Sequence, residues 1–536
     1  MKRLTLLGLA LLFATVLHAQ VEDDWLNQMK DEQNDAFKEF EQFAQQAYQD
    51  YENFRKQANA EYAKFMAVAW KWFDVKAAEE PPVKPKPVAP MVDDTEPILT
   101  PVPVPNPDDP QSDAPQSNAP QPDAPQPDAP QPETKPTMEP IRIPDPISPP
   151  QLPKQESDQK IKRPQPIEPI EMSAIPMTAA QNVFLYGSSF AMHLEPEQPL
   201  KLADASEKSV AAMWKQLSDS RYDHIIAECL QQRDKRNLCD WAYVKFTQQV
   251  AEKQFGAGTN EAVVMQMYLL TQSGYKMRIG RDESDRLALL IGSEEQIFKY
   301  KYVKMDGTKF YFMDKSFNQR GLSIFDHAFP REKSLSLALT QPDLQVNATE
   351  KRTVASKRYP NVSVTVQTNQ NLIDFYNDYP ISAKWNYYSM ASLSNVMKDA
   401  LYPTLRKAIE GKTKLEAANI LLNFVQTGLE YKTDDQQFGY ERPLYPDESF
   451  YYPYCDCEDR SILFSCLIRE LLGLEIVLLD YPTHIATAIY FEEEVKGDYF
   501  EMDGKRYIIS DPTYINAQVG MCAPKFQTIS PKVVRF

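Results

Sequence analysis

The sequence predicts a mixed α+β fold made of two tandem related units, the first degenerate, preceded by a helical segment and a proline-rich linker. Three observations carry this expectation. Helix-type and strand-type apolar periods alternate through residues 173–536. One order of elements, an apolar helix ending at a glycine and then three strand-like runs, occurs twice. Most of the 43 prolines fall between 79 and 172, where neither a helix nor a sheet ladder tolerates them.

Residues 1–20 read as a signal peptide. Lys2 and Arg3 precede LLGLALLFATVL, a run too short to span a bilayer, and small residues surround Ala19. No Cys follows this run, so a lipid anchor at the cleavage point is not expected. Export to the periplasm, the cell envelope or the medium is the expected localisation. No second long apolar run follows, so no transmembrane segment is expected after signal removal.

Residues 21–78 form the expected helical segment. No Gly or Pro occurs from 23 to 75, and Phe37, Phe40, Phe43, Ala44, Ala47, Tyr48, Tyr51 and Phe54 recur at three- and four-residue steps. Such a stripe packs on itself or the main body, or binds a protein partner. Its polar face is rich in Asp and Glu, which argues against a membrane surface. Residues 79–172, with PPVKPKPVAP, PVPVPNPDDP and APQPDAPQPDAPQPE, form an extended, partly stiff spacer.

The first unit spans 173–330, with helices over 203–231 and 237–253 and strands over 287–291, 297–303 and 309–313. A connecting α/β region, 331–409, holds the alternating run VSVTVQT. Helical sequence covers 397–430, and the second unit spans 410–536. The net charge of −17 provides no basic face for nucleic acid.

The repeat has a definite register. Gln437-Phe438-Gly439 matches Gln254-Phe255-Gly256, and CEDRSILFSCLIRELLGLEIVLL at 457–479 lies against GTNEAVVMQMYLLTQSGYKMRIG at 258–280. HIATAIY at 484–490 then faces RLALLIG at 286–292, and DGKRYIISD at 503–511 matches DGTKFYFMD at 306–314. Cys457 thus meets Gly258, His484 meets Arg286 across a one-residue gap, and Asp511 retains Asp314. The first copy cannot do thiol chemistry at these positions and is expected to serve as a packing partner.

Cys457, His484 and Asp511 supply the parts a thiol nucleophile needs. Cys457 opens a predicted helix over 457–472, whose N-terminus favours a thiolate. His484 opens a strand and can take the thiol proton, while Asp511, before Pro512, can hold the ring in one tautomer. Glu458 and Asp459 suit helix-end capping, although their charge opposes a thiolate. Gln437 is an oxyanion candidate, but its counterpart Gln254 in the degenerate copy argues for a structural component. The six cysteines, 229, 239, 455, 457, 466 and 522, are too few for a disulfide-built fold, though export permits a bridge at Cys455 or Cys457. A zinc site from Cys455, Cys457, Cys466 and His484 lacks the paired C-x2-C knuckles of structural zinc. No metal or cofactor is expected.

At these residues the chain resembles the transglutaminase-like superfamily, which shares a papain-like cysteine fold. Its G-x-C-x-D-x-A/S pattern is similar to Cys455-Asp456-Cys457-Glu458-Asp459-Arg460-Ser461, with Cys455 in place of the usual Gly. An apolar helix ending Arg469-Glu470-Leu471-Leu472-Gly473, then His484 and Asp511, completes the likeness. The resemblance covers about 410–516 cleanly and 237–316 in degenerate form, and extends to exported proteins of Bacteroides-like bacteria. It implies a Cys457–His484–Asp511 triad and a cysteine-dependent amide hydrolase or acyltransferase acting on protein or peptide through a thioester. The alternative is a non-catalytic envelope scaffold, since the superfamily also includes inactive members.

Overall fold

The computed structural model describes residues 52–81, 179–195, 200–218, 222–317 and 320–536, together with Val92 and isolated positions between 38 and 50. Residues 1–20, expected above to be a signal peptide, and nearly all of the proline-rich stretch lie outside the described residues. The chain divides into two compact units, one of Met1–Pro81, Gln159–Asn347 and Asp374–Ala383, the other of Pro82–Asp158, Ala348–Ile373 and Lys384–Phe536.

In the first unit, helix α1 spans 52–66. One face of α1 buries Ala58, Tyr62, Ala63 and Met66, and Tyr62 sits 5.0 Å from the Trp214 ring and 4.8 Å from that of Phe325. Arg55 forms a buried ion pair with Asp223. Phe43, Phe54 and Phe65, eleven residues apart, stay 71%, 40% and 49% exposed. The segment expected to be helical to 78 instead turns after α1, and Lys71–Asp74 becomes strand β1. The adjacent aromatics Trp72 and Phe73, which suit a strand, and pairing with β8 outweigh helix propensity there.

The hairpin of β2 (Gln181–Leu185) and β3 (Ser188–Met192) follows. Tyr186 and Gly187, both at positive φ (44° and 68°), form its two-residue turn. Four helices come next: α2 (Glu207–Leu217), α3 (Asp223–Lys235), α4 (Asp240–Phe255) and α5 (Asn260–Gln272). Strands β4 (Met277–Arg281), β5 (Leu287–Ser293), β6 (Tyr302–Met305), β7 (Thr308–Phe312) and β8 (Gly321–Phe325) complete the unit. The sheet order is β1-β8-β4-β5-β7-β6. Beyond β1 the chain reaches the opposite edge, where Lys76 pairs with Tyr302, so the sheet curls towards closure.

The second unit opens with hairpin β9 (Arg352–Ala355) and β10 (Ser363–Val366). Helix α6 (Gln370–Asp378) runs across the division between the units. Then come α7 (Trp385–Met390), α8 (Asn395–Ile409) and α9 (Lys414–Gly428). The helix expected over 397–430 is therefore two. Gly411 turns at φ 71°, and a Thr413–Glu416 capping box restarts the chain as α9. The expected connecting region 331–409 is likewise divided. Val354, Val364, Met397 and Leu401 share one core with Leu421, Phe424, Leu463 and Phe464, so most of that stretch belongs to the second unit.

Short elements lead to the candidate site: β11 (Glu430–Tyr431), α10 (Asp434–Gln437), α11 (Glu448–Tyr451) and β12 (Tyr454–Cys455). Helix α12 (Cys457–Leu467) ends in a π-helical turn, Ile468–Leu472, with Gly473 left-handed. The final sheet is built from β13 (Ile476–Tyr481), β14 (His484–Tyr490), β15 (Tyr499–Met502), β16 (Lys505–Ser510) and β17 (Lys532–Val534). Its order, β15-β16-β14-β13-β17, repeats the connection pattern of β6-β7-β5-β4-β8 in the first unit. Both faces of this sheet are covered. Ile476 and Ile489 join the helical core, while Val477, Leu479, Ala486 and Ala488 pack with Tyr507 and Phe526. That explains why β13 and β14 read as near-continuous apolar runs.

Candidate active site

Cys457 is the first residue of α12, and local hydrogen bonding explains why the helix starts there. Asp459, in the first turn, accepts the Asp456 N–H at 3.1 Å with one oxygen and the Leu444 N–H at 2.7 Å with the other. Two residues on, Ser461 Oγ donates to the Ile485 carbonyl at 3.0 Å. The small side chain at Ser461 lets α12 lie close over the beginning of β14. Cys457 packs there against Ile485 and Leu478.

His484, the residue before Ile485, begins β14. Its Nε2 lies 2.8 Å from Asp511 Oδ2, and both side chains are buried. Asp511 Oδ1 accepts N–H groups from Thr513 at 2.8 Å and Tyr514 at 3.2 Å. The Asp511 carbonyl is fixed in turn by Gln426 Nε2 at 3.0 Å. With Nε2 engaged by the carboxylate, Nδ1 is the ring nitrogen left to take a proton. Phe526 stacks on the imidazole, centroids 4.8 Å apart and planes within 3°. Tyr481 stacks on the same phenyl ring at 4.7 Å.

The structure therefore joins two of the three predicted residues directly and seats the third over the same strand end. Cys457 is only 1% exposed, and its thiol donates to Glu458 Oε2 at 3.0 Å. All six cysteines are free thiols, so Cys455 and Cys457 are not bridged. Burial pushes the Cys455 thiol up to about 11 and those of Cys466 and Cys522 up to about 12, which makes them poor nucleophiles near neutral pH.

Gln437 takes a different part from the one expected. Its Nε2 donates to the Tyr454 carbonyl at 3.1 Å, and its Oε1 accepts the Tyr454 N–H at 3.2 Å. A side-chain amide that pairs reciprocally with backbone acts as a short piece of ladder, here holding the strand that leads into Cys457. Gln254 does the same in the first unit, giving to Glu195 O at 3.3 Å and accepting Glu195 N–H at 3.1 Å. Each unit thus has a glutamine brace of the same kind.

Sequence reading missed the depth of the acidic knot beside Cys457. Ligand-capable oxygens of Asp434, Asp456 and Asp459 lie within 4.8 Å of one another, all buried. Backbone N–H groups reach these carboxylates: Arg442 N–H on Asp434, Asp434 N–H on Asp456, and the two donors on Asp459. The knot thus ties the loop at 434–444 to the helix start. Burial, then the neighbouring acids, raises Asp434 to about 10 and Asp459 to about 8. Protonation relieves the crowding, and we assign no metal ligand here. The run Asp456-Cys457-Glu458-Asp459 was the available signal, but only the fold brings Asp434 to it.

Arg460 is a second residue the sequence did not mark. Its guanidinium donates to the Gln426 carbonyl at 3.2 Å and the Leu429 carbonyl at 2.7 Å, closing the end of α9.

No protein-family model matches the chain, and no curated protein or solved structure matches it either.

Proposed function

We propose that the second unit is a cysteine-dependent amide hydrolase or acyltransferase of the transglutaminase-like kind, acting on protein or peptide in the cell envelope. The observation that supports it most is the buried His484–Asp511 pair at the start of β14, over which the N-terminus of α12 places Cys457. A carboxylate fixed by two backbone N–H groups and bonded to one imidazole nitrogen leaves the other nitrogen as a base.

In the reaction, His484 takes the Cys457 proton and the thiolate adds to a carboxamide carbon. The C–N bond breaks as His484 returns that proton to the departing nitrogen, leaving a thioester on Cys457. His484 next removes a proton from water, the hydroxide adds to the thioester and expels the Cys457 thiolate, His484 returns the proton to that sulfur, and the product is a carboxylic acid. A primary amine in place of water gives a new amide. Water is abundant outside the cell, so hydrolysis is the default outcome. The first unit fits a degenerate copy retained for packing. Its sheet has the same order, with Arg286 and Asp314 at the His484 and Asp511 positions. Helix starts shift the register, though. α5 begins at Asn260 after Thr259 as α12 begins at Cys457 after Asp456, which puts Asn260 rather than Gly258 opposite Cys457. The π-helical turn before Gly473 lengthens the second helix and displaces an alignment anchored on the glycines.

A non-catalytic scaffold is the second reading, and the thiol bonded to Glu458 in a buried setting favours it. The rate of Cys457 alkylation against pH, followed by mass on the full-length protein and its His484→Ala variant, separates the two. Fast modification near neutral pH that is lost in the variant supports the enzyme. Slow modification unchanged by the variant refutes the triad.

A further inference from the structure

Cys457 and Asp511 stand on two pieces of chain that do not adjoin in sequence, the start of α12 and the loop that follows β16. Their register depends on what ties the two pieces together. Helix α9 does so. Its Gln426 and Asn419 are seven residues apart, two turns, and so share one face. Gln426 Nε2 donates to the Asp511 carbonyl at 3.0 Å, to that of Tyr514 at 2.7 Å and to that of Ala517 at 3.0 Å. Asn419 Oδ1 accepts the Val519 N–H at 2.9 Å. The main-chain carbonyl of Gln426 accepts from Arg460, three residues past Cys457, at 3.2 Å. One residue thus holds α12 by its backbone and the Asp511 loop by its side chain.

The side chain is committed to the loop at a cost. Gln426 is 1% exposed, and its Oε1 has no hydrogen-bond partner among the described residues. A buried polar atom left unpaired opposes folding. Turning the amide over would set its oxygen against three carbonyl oxygens, so its orientation is fixed. Two of those carbonyls have partners within the loop already. Asp511 O accepts the Tyr514 N–H at 3.3 Å, and Tyr514 O accepts the Ala517 N–H at 3.1 Å. The loop therefore closes by its own turns, and Gln426 sets where the closed loop sits. Within it, the Thr513 and Tyr514 N–H groups hold Asp511 Oδ1 and leave Oδ2 for His484.

We propose that Gln426 is a positioning residue for the thiol site, setting the Asp511 loop, and through it the His484 imidazole, against the start of α12. This rests on the thiol chemistry proposed above. The side-chain hydrogen bonds of Gln426 go to loop carbonyls, not to the thiol or the imidazole, so its effect runs through Asp511.

The test uses full-length wild type, Gln426→Met, Leu405→Ala and His484→Ala proteins. Methionine keeps the length of the side chain and removes its donors. Leu405, buried in α8 within the same helical core, reports what a loss of packing alone does. Three quantities are read: iodoacetamide alkylation of Cys457 against pH, thermal unfolding, and the proton NMR signal of the His484 N–H bonded to Asp511. Absence from His484→Ala identifies that signal. Gln426→Met is expected to slow alkylation near neutral pH roughly 10-fold, to raise its midpoint by about one unit and to lose the N–H signal. Leu405→Ala is expected to lower the unfolding temperature at least as far and to leave rate, midpoint and signal unchanged. A folded Gln426→Met protein with the wild-type profile and signal overturns the role of Gln426 and leaves the triad standing. Equal changes in Gln426→Met and Leu405→Ala overturn it too, by assigning the effect to packing. Should Gln426→Met not fold, Gln426→Asn, which draws the amide back by one methylene, is read in the same way. A wild-type thiol that reacts only at the pH of an ordinary cysteine, with or without His484, overturns the proposed function and this inference with it.

Discussion

Asp511→Asn keeps the shape of the side chain and removes its charge, and the surrounding donors decide how the site responds. Asp511 Oδ1 accepts two backbone N–H groups, from Thr513 at 2.8 Å and Tyr514 at 3.2 Å. Two donors admit only an acceptor, so the asparagine oxygen must take that place and its NH2 must turn towards His484. An N–H aimed at Nε2, where Oδ2 now lies 2.8 Å away, requires a lone pair on that nitrogen. The ring proton then moves to Nδ1, and the nitrogen that would take the thiol proton is no longer basic. A positioned base contributes about 10²–10⁴-fold, so alkylation of Cys457 near neutral pH should fall by about 10²-fold or more, to the level of His484→Ala. The cost in stability is small by contrast, about 1 kcal/mol, because a charge-assisted hydrogen bond is exchanged for a neutral one. Mass-tracked alkylation with parallel thermal unfolding reads both quantities. Wild-type alkylation rates in a folded Asp511→Asn protein would refute the tautomer argument.

Two further outcomes concern the buried charges around α12. Asp434 and Asp459 are raised by burial to about 10 and about 8, so the folded chain holds protons that the unfolded chain releases near its ordinary carboxylate pKa. Stability from these groups is present at low pH and lost as pH rises through 8 to 10, so urea midpoints should fall between pH 6 and pH 9, and less so in Asp434→Asn; parallel declines would count against this. Arg460→Leu strands the buried Gln426 and Leu429 carbonyls, costing roughly 3 kcal/mol and about 6–12 °C in Tm, and an unchanged Tm would contradict that role.

The periodic signals carried most of the second unit. Cys457 as a helix start, His484 as a strand start and the carboxylate of Asp511 all depend on local pattern, and each is where that pattern put it. Partners distant along the chain left no such signal. Gln437 looks like a free amide until Tyr454 is seen to occupy its carbonyl and an N–H. The aromatic stripe up to Phe73 spans a helix and a strand, because the sheet edge offered by β8 decides the conformation of Lys71–Asp74. Helix and strand preferences of such a segment are close enough for tertiary pairing to choose.

The two units share a sheet order and differ in the side chains at one matching corner. Both run a long helix into the same order of antiparallel strands. In the second, the strand pair presents an imidazole on a carboxylate, 2.8 Å apart and shielded from water. In the first, Arg286 meets Asp314 at 3.5 Å, with both side chains about half exposed. A carboxylate is common to both corners, and in the first it attracts a guanidinium. A guanidinium cannot give up a proton at any pH the protein meets, which leaves that pair without a base. Arg286 also reaches Asp282 at 3.5 Å and lies over the Phe317 ring at 5.0 Å, so its charge braces the turn between the inner strands β4 and β5. Asn260, at the head of α5, closes the same corner by donating to the Asp285 carbonyl and accepting the Leu287 N–H, both at 2.9 Å. A cysteine there could not replace those two bonds. The corner that in the second unit sets Cys457 on the residue after a buried imidazole–carboxylate pair is in the first a set of satisfied structural contacts, and a His at position 286 alone would supply neither the nucleophile nor the burial that a working base requires.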